Sequence, residues 1–167
     1  YLETPTQYLS ELSINQAAKI VSFMDSDDAV DILEQMEASA KEKIVTLLDA
    51  GSSHDIRLIL SYDEDEIGSM MTTNFVAIRK DLSIRQAMRE LVTQAGENDN
   101  ISTVYVVDDA DKFYGAIDLK DLIIARETDE LDGIISTSYP YVTDHEKIDN
   151  CIETIKDYAE DSLPVLT

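Results

Sequence analysis

The first 72 residues carry apolar positions at helical spacing and at no other. Ile14, Ala17, Ala18, Val21 and Met24 form one set, and Ser13 with Gln16 ahead of it predicts a reciprocal helix N-cap. Ile44, Val45, Leu47 and Leu48 form another, preceded by the same spacing at Ser39 and Glu42. Between them Val30, Leu33 and Met36 fit a helix starting near Asp27. Ser53 is placed to cap a helix carrying Ile56, Ile59 and Leu60, and Asp63 with Glu66 repeats the cap spacing. Starts near 14, 27, 40, 53 and 64 recur about every 13 residues, which predicts short helices stacked in a superhelix. Helices of this length need packing to hold them.

After residue 72 the period changes. Asn74 to Arg79 reads as a strand. Ser83 and Gln86 then cap a helix that sets Ile84, Ala87, Met88, Leu91, Val92 and Ala95 on one face. Thr103 to Val107 reads as a second strand, Asp108 to Lys112 as a turn, Phe113 to Ile117 as a third strand and Leu119 to Ala125 as a short helix. The order is β-α-β-β-α. It then restarts: Tyr139-Pro-Tyr-Val, a cap spacing at Thr143 and Glu146, a helix face of Ile148, Ile152, Ile155 and Ala159, and a strand beginning in Ser162 to Leu166. The second unit lacks its third strand and last helix, which predicts an unpaired edge. The expected fold class is therefore α plus α/β. A superhelical N-terminal part with a connector spans 1–72, a first β-α-β-β-α unit spans 73–127, and an incomplete second spans 128–167.

Composition narrows the function classes. Hydrophobic residues make up 44% of the 167, enough for a core. No stretch approaches the ~20 apolar residues of a membrane helix. The chain opens on Tyr1-Leu2-Glu3 without Met and reads as a piece of a longer protein. Net charge is −22, spread as −7 over 1–62, −7 over 63–127 and −8 over 128–167. That field opposes nucleic acid and anionic lipid and favours cations or basic partners. Cys151 is the one cysteine and lies in an apolar helical pattern, the setting of a buried structural thiol. His54 and His145 have no metal-ligand spacing, and neither a Gly-rich phosphate loop nor Cys-x-x-Cys is present, so no enzyme is expected. The tyrosines, among them Tyr105, Tyr114, Tyr139 and Tyr141, read as core or interface material.

The repeated β-α-β-β-α unit, with Val104-Tyr-Val-Val-Asp-Asp, Gly115-Ala-Ile-Asp-Leu-Lys-Asp-Leu and Leu163-Pro-Val, resembles a cystathionine-β-synthase-type (CBS) domain pair. The join, Tyr62-Asp-Glu-Asp-Glu-Ile-Gly-Ser-Met-Met-Thr-Thr-Asn-Phe-Val-Ala-Ile, resembles the connector of MgtE-type magnesium transporters, with Ile67 where Ala is usual. The resemblance implies the cytosolic regulatory region of such a transporter, at the cytoplasmic face of the membrane. The fragment itself is expected to be soluble. It also implies that a transmembrane part of the parent chain conducts Mg²⁺. Bound ions would bridge the N domain and the CBS domains and favour a closed, compact homodimer paired through the CBS domains. Some members bind ATP.

Mg²⁺ takes oxygen ligands and keeps most of its waters, so facing carboxylates suffice without a tight motif. Two like charges ~8 Å apart in water cost only ~0.5 kcal/mol, but many such pairs make an opening force that a cation relieves. Three clusters are candidates. Asp27, Asp28, Asp31 and Glu34 lie on a predicted helix. Glu127, Asp129, Glu130 and Asp132 lie between the CBS units. Asp144, Glu146 and Asp149 lie at the start of the second CBS helix. Of these, Asp27, Asp28, Asp31, Glu127, Asp129, Asp132, Asp144 and Glu146 are the expected metal ligands, the first cluster facing one of the others across the domain interface. Swinging a two-state equilibrium from 1:99 to 99:1 takes ~5.5 kcal/mol, which favours several ions at ~1.4 kcal/mol each over one. Asp63 to Glu66 reads as a structural helix start.

Nucleotide-binding CBS units resemble one another in carrying Gly, two apolar residues, Ser or Thr, two more, then Asp. Here Asp121 matches as a cofactor-binding candidate, but Asp118 replaces the hydroxyl and would repel phosphate unless Lys120 compensates. ATP or another adenine nucleotide is therefore not expected. The alternative function is a CBS-domain adenine-nucleotide sensor regulating another protein. A scaffold without ligand would show no response to Mg²⁺.

Overall fold

The computed structural model describes residues 12–158 and 160–167. The chain divides into two compact units, Tyr1–Thr73 and Asn74–Thr167.

The first unit is helical: α1 (Ile14–Val21), α2 (Ser26–Glu34), α3 (Ala38–Leu47), α4 (Ala50–Ile59) and a 3-10 turn at Ile67–Met70. α1 packs on α3 and α2 on α4, the alternate stacking that a superhelix requires. Its core joins Ala17, Ala18 and Val21 to Ala29, Val30 and Leu33, then Ile44, Val45, Ile56 and Ile59. The starts fall at 14, 26, 38 and 50, so the repeat is twelve residues. The Ser13–Gln16 capping box forms. The expected Ser39–Glu42 box does not, because α3 starts earlier at Ala38 and Glu42 turns to Arg57 at 2.9 Å. Ser53 is no cap either. Asp49 does that work, accepting from the Gly51 and Ser52 amides at 3.0 Å. The Asp63 amide donates to Glu66 Oε2 at 3.0 Å, but the 3-10 turn follows in place of an α-helix. Gly68 in that turn lies so close to the Tyr62 ring that a Cβ would sit 2.6 Å from it.

The second unit begins with the expected β-α-β-β-α order: β1 (Val76–Arg79), α5 (Ile84–Gln94), β2 (Thr103–Val107), β3 (Phe113–Asp118) and α6 (Leu119–Ile124). β1 pairs parallel to β2 and β2 antiparallel to β3. The Ser83–Gln86 box caps α5. Asp108 closes the β2–β3 turn by accepting from Ala110 and Lys112, with Asp111 in the left-handed region that Asp tolerates. Alternation along the strands sends Val76, Ile78, Val104, Val106 and Ile117 under Ile84, Ala87 and Leu91 of α5 and Leu122 of α6. Tyr105 sits on the opposite face, against Phe75 and Phe113. β1 starts at Val76, two residues later than expected. Val92 is 67% exposed although its spacing placed it on the inner face.

Both outer strands of this sheet are covered. The Gln94 amide donates to the Ala77 carbonyl at 2.8 Å and accepts from its N–H at 3.1 Å. At the other side Ser136 and Ala116 exchange two main-chain hydrogen bonds, 2.8 and 3.1 Å. Gly115 permits that approach, since a Cβ there would sit 2.6 Å from the Ser136 carbonyl oxygen.

The strand-helix-strand order then restarts with β4 (Val142–Thr143), α7 (Ile148–Tyr158) and β5 (Val165–Leu166), β4 and β5 pairing parallel. Thr143 and Glu146 bond as expected, but they close the turn ahead of α7 and do not cap it. Cys151 is fully buried, whereas Ile152 and Ile155, expected to face inward, are 39% and 41% exposed. A two-stranded pair of two-residue strands offers too little surface to cover them. Ala159 lies outside the described residues.

Candidate metal centre

The first acidic cluster rides on α2. Its start follows from Asp25, extended at φ −62 and ψ 150, and its register from the buried Ala29, Val30 and Leu33. Asp27 and Asp28 fall in the first turn, where the helix dipole favours negative charge. Asp28, Asp31 and Glu34 are exposed. Asp27 differs. Its Oδ1 is sealed from solvent and has no hydrogen-bond partner among the described residues. A buried carboxylate oxygen with no donor is costly, and the cost is relieved by a cation or by a water that a cation orients. Beside it, Ser26 Oγ lies 2.9 Å from Thr73 Oγ1 and accepts from the Thr73 amide at 3.3 Å, fixing the connector to the start of α2.

The second cluster is held to the sheet of β1, β2 and β3. Glu127 Oε1 lies 3.8 Å from Arg85 Nε on α5, both side chains well exposed. Asp129 Oδ2 accepts from the Arg126 amide at 2.8 Å. Asp132 Oδ1 accepts from the Tyr114 hydroxyl at 3.1 Å, and that hydrogen bond first, then the carboxylate's charge, raises the Tyr114 phenol above its ordinary value. Lys80 Nζ stands 5.2 Å over the Tyr114 ring. Leu131 is buried in the same core as β1 to β3, so this segment packs against that sheet.

In the third cluster Asp144 Oδ1 accepts from the His145 amide at 2.9 Å, and Glu146 Oε1 takes both the amide and hydroxyl of Thr143 at 3.0 Å. Glu146 Oε2 is 3.9 Å from the Cys151 sulfur, and burial first, then that carboxylate, pushes the thiol up. Asp149 is exposed on the first turn of α7.

Thus Asp27, Asp28 and Asp31 share one short helix, and Asp144 and Glu146 share one turn. Glu127, Asp129 and Asp132 each take a different partner. Among the described residues no group of three or more His, Cys, Asp or Glu side chains converges as a metal site does. A depression of about 360 Å³ in the first unit, lined by Lys19, Leu47 and Asp49, includes none of these acids.

Residues 2–65 match the family described as the MgtE intracellular N domain, and residues 67–128 match the CBS domain family. The chain is an MgtE-type N domain joined to a CBS domain. It is 28% identical over 148 residues to the magnesium transporter MgtE of Thermus thermophilus, covering 87% of this chain and 32% of that protein. The chain therefore spans about a third of the length of that relative. Among solved structures it superposes on the soluble part of a magnesium transporter with a TM-score of 0.90 and 32% identity, over 96% of this chain and 62% of the other. The cytosolic domain of the Mg²⁺ channel MgtE in complex with ATP gives a TM-score of 0.82 at 26% identity, over 96% of this chain and 71% of the other.

In the MgtE-type chain the nucleotide candidate Asp121 is exposed in the first turn of α6. Asp118 Oδ1 accepts from the Lys120 amide at 2.8 Å and so caps the helix itself. A phosphate oxygen at that amide would have to displace a carboxylate and then face its charge, so these residues fit phosphate poorly. Sequence reasoning missed Arg85 and Tyr114 as partners of the acidic segment. Both contacts join residues far apart in the chain, and no local spacing announces them.

Proposed function

We propose that this chain is the Mg²⁺-sensing cytosolic region of an MgtE-type magnesium transporter, working at the cytoplasmic face of the membrane as part of a longer protein. In this reading hydrated Mg²⁺ binds between acids of the helical unit and acids of the CBS unit and favours a compact dimer. The carboxylates repel while unliganded, and cations neutralise them as the intracellular concentration rises. The observation that carries the reading is Asp27 Oδ1, buried with no donor among the described residues, at the start of an acidic helix. Within the chain Asp27, Asp28 and Asp31 would supply one side of the site, and Glu127, Asp129, Asp132, Asp144 and Glu146 are the candidates for the other. The dimer reading is supported by Val92 on α5 with Ile123 and Ile124 on the touching helix α6, all large apolar and exposed.

A second reading, an adenine-nucleotide sensor, draws on the similar cytosolic domain crystallised with ATP. The Asp118 cap argues against it for the first CBS unit.

Thermal unfolding across a Mg²⁺ series at fixed ionic strength, with K⁺ controls and a parallel ATP series, tests both readings. The midpoint is expected to rise with Mg²⁺ beyond the salt control, because a ligand of the folded state at ten times its Kd adds ~1.4 kcal/mol. Asp27→Asn is expected to shrink that rise. A flat response to Mg²⁺ overturns the sensor, and a rise with ATP alone moves the function to the nucleotide.

A further inference from the structure

The chain that joins the two units is held at both ends, and the two holds meet at one peptide bond. On the helical side the Tyr62 amide donates to the Ile59 carbonyl at 3.2 Å, and the Tyr62 ring lies against Gly68. The 3-10 turn at Ile67–Met70 packs on α4, and Met71 packs against the helical core. Thr73 ends this run. Its amide donates to Ser26 Oγ at 3.3 Å, and its Oγ1 lies 2.9 Å from the same oxygen. Both groups lie on the near side of the Thr73 Cα–C bond, so the grip of the helical unit stops there. The next residue is gripped by the second unit. Asn74 Oδ1 accepts from the Asp99 amide at 2.9 Å. The Phe75 ring meets Tyr105 edge-on at 5.8 Å, and the Gln94 side chain clasps the Ala77 main chain. The compact units divide at the same place, one ending at Thr73 and the other beginning at Asn74. The peptide plane between them is rigid. Between the two grips stand two soft dihedrals, ψ of Thr73 and φ of Asn74.

We propose that the Thr73–Asn74 link is the hinge of this chain, and that residues 62–73 travel with the helical unit as part of it. Hinges are built from a few residues at element ends that absorb changes in φ and ψ. A long slack connector would let each unit wander. A hinge of one link, with a clasp on either side, confines them to rotation about two bonds. The sensor reading needs units that reorient, but the place of the hinge rests on the two clasps and holds without an ion.

Residual dipolar couplings of the backbone amides, measured on the whole chain in a dilute aligned phase without Mg²⁺, locate the hinge. Couplings from α1 to α4 define one alignment tensor, and those from β1 to β3 with α5 define another. Residues 62–73 are expected to fit the first tensor and those from Phe75 onward the second. Averaged couplings over 62–73 that fit neither would mean a flexible linker and overturn the proposal. One tensor for both units overturns it too, since nothing then turns at Thr73. The clasps are tested separately by amide exchange. Ser26→Ala is expected to speed exchange of the Thr73 amide about fivefold, the worth of one ordinary hydrogen bond, and to leave the Asp99 amide unchanged. Asn74→Ala is expected to do the reverse. Wild-type exchange at Thr73 and at Asp99 in their respective variants means that neither end is gripped, and the hinge fails with them. Because these measurements use no Mg²⁺, a flat Mg²⁺ titration would remove the sensor and leave the hinge standing.

Discussion

Residues 74–136 and 137–167 open in the same order, strand then helix, yet bury very different amounts. Helices α5 and α7 are both eleven residues long, and both carry apolar residues at helical spacing. Helix α5 sinks Ile84, Ala87 and Leu91 into a core that three strands and α6 complete. Helix α7 buries Cys151 alone. The difference lies in the sheet. Three strands, with one edge clasped by Gln94 and the other by Ser136, present a continuous floor to α5. The β4–β5 pair presents two residues per strand. An apolar stripe states what a helix could bury, and the area of the facing layer decides what it does bury.

The largest effect expected from this comparison is in the first core. Ile117 is fully buried in β3 beneath α5 and α6. Ile117→Ala is expected to cost ~3 kcal/mol, the transfer term plus the cavity. Ile152→Ala, on α7, is expected to change stability by less than ~0.5 kcal/mol, because Ile152 is already open to water. Urea midpoints of the two variants decide the matter. Equal losses would mean that the two helices are equally well covered.

A smaller effect tests how the first sheet closes. A Cβ at Gly115 would stand 2.6 Å from the Ser136 carbonyl oxygen and 2.7 Å from Ile135 Cγ2. Main chain cannot yield as a side-chain tip does, so Gly115→Ala is expected to cost ~2 kcal/mol and to loosen the bridge from Ala116 to Ser136. Gly133, four residues ahead of Thr137 on the same segment, has nothing within 4 Å of its Cβ position. Gly133→Ala should be neutral or stabilising by up to ~1 kcal/mol. Amide exchange at Ser136 distinguishes the two: faster in the first variant and unchanged in the second.

The element order of both units could be read in the sequence because it rests on local signals. Ser13 with Gln16 and Ser83 with Gln86 form the caps that their spacing predicts. Where two polar residues compete for a helix start, spacing misleads. Asp49 wins over Ser53 because its carboxylate reaches two amides, and Glu42 is drawn from its expected cap by Arg57. Burial could be read where a full layer exists, as for Leu91, and not where it is missing, as for Ile152. The acids of the candidate centre were visible as clusters. What sorts them is not sequence spacing. Asp27 differs from Asp28 through one occluded oxygen, and Asp132 from Asp129 through a tyrosine on a strand. Such distinctions arise only when distant segments meet.

The smallest effect concerns the joint between the two segments. Burial pushes the Tyr139 phenol up to about 12 and also raises Tyr105, with the Glu160 carboxylate acting in the same direction on both. Both folded values lie above the ordinary value of 10.0, so the folded state favours the neutral phenol. The stability this contributes is complete below about pH 10 and is lost as pH rises toward 12, because the folded chain then holds protons that the unfolded chain has released. The unfolding midpoint of the wild type should therefore fall more steeply than that of Tyr139→Phe between pH 9.5 and 11.5, in roughly the window those values define. Absorbance at about 295 nm gives an independent reading, since Tyr139 should ionise after the exposed tyrosines. Parallel midpoint curves for the two proteins would mean that the Tyr139 hydroxyl is solvated in the folded chain.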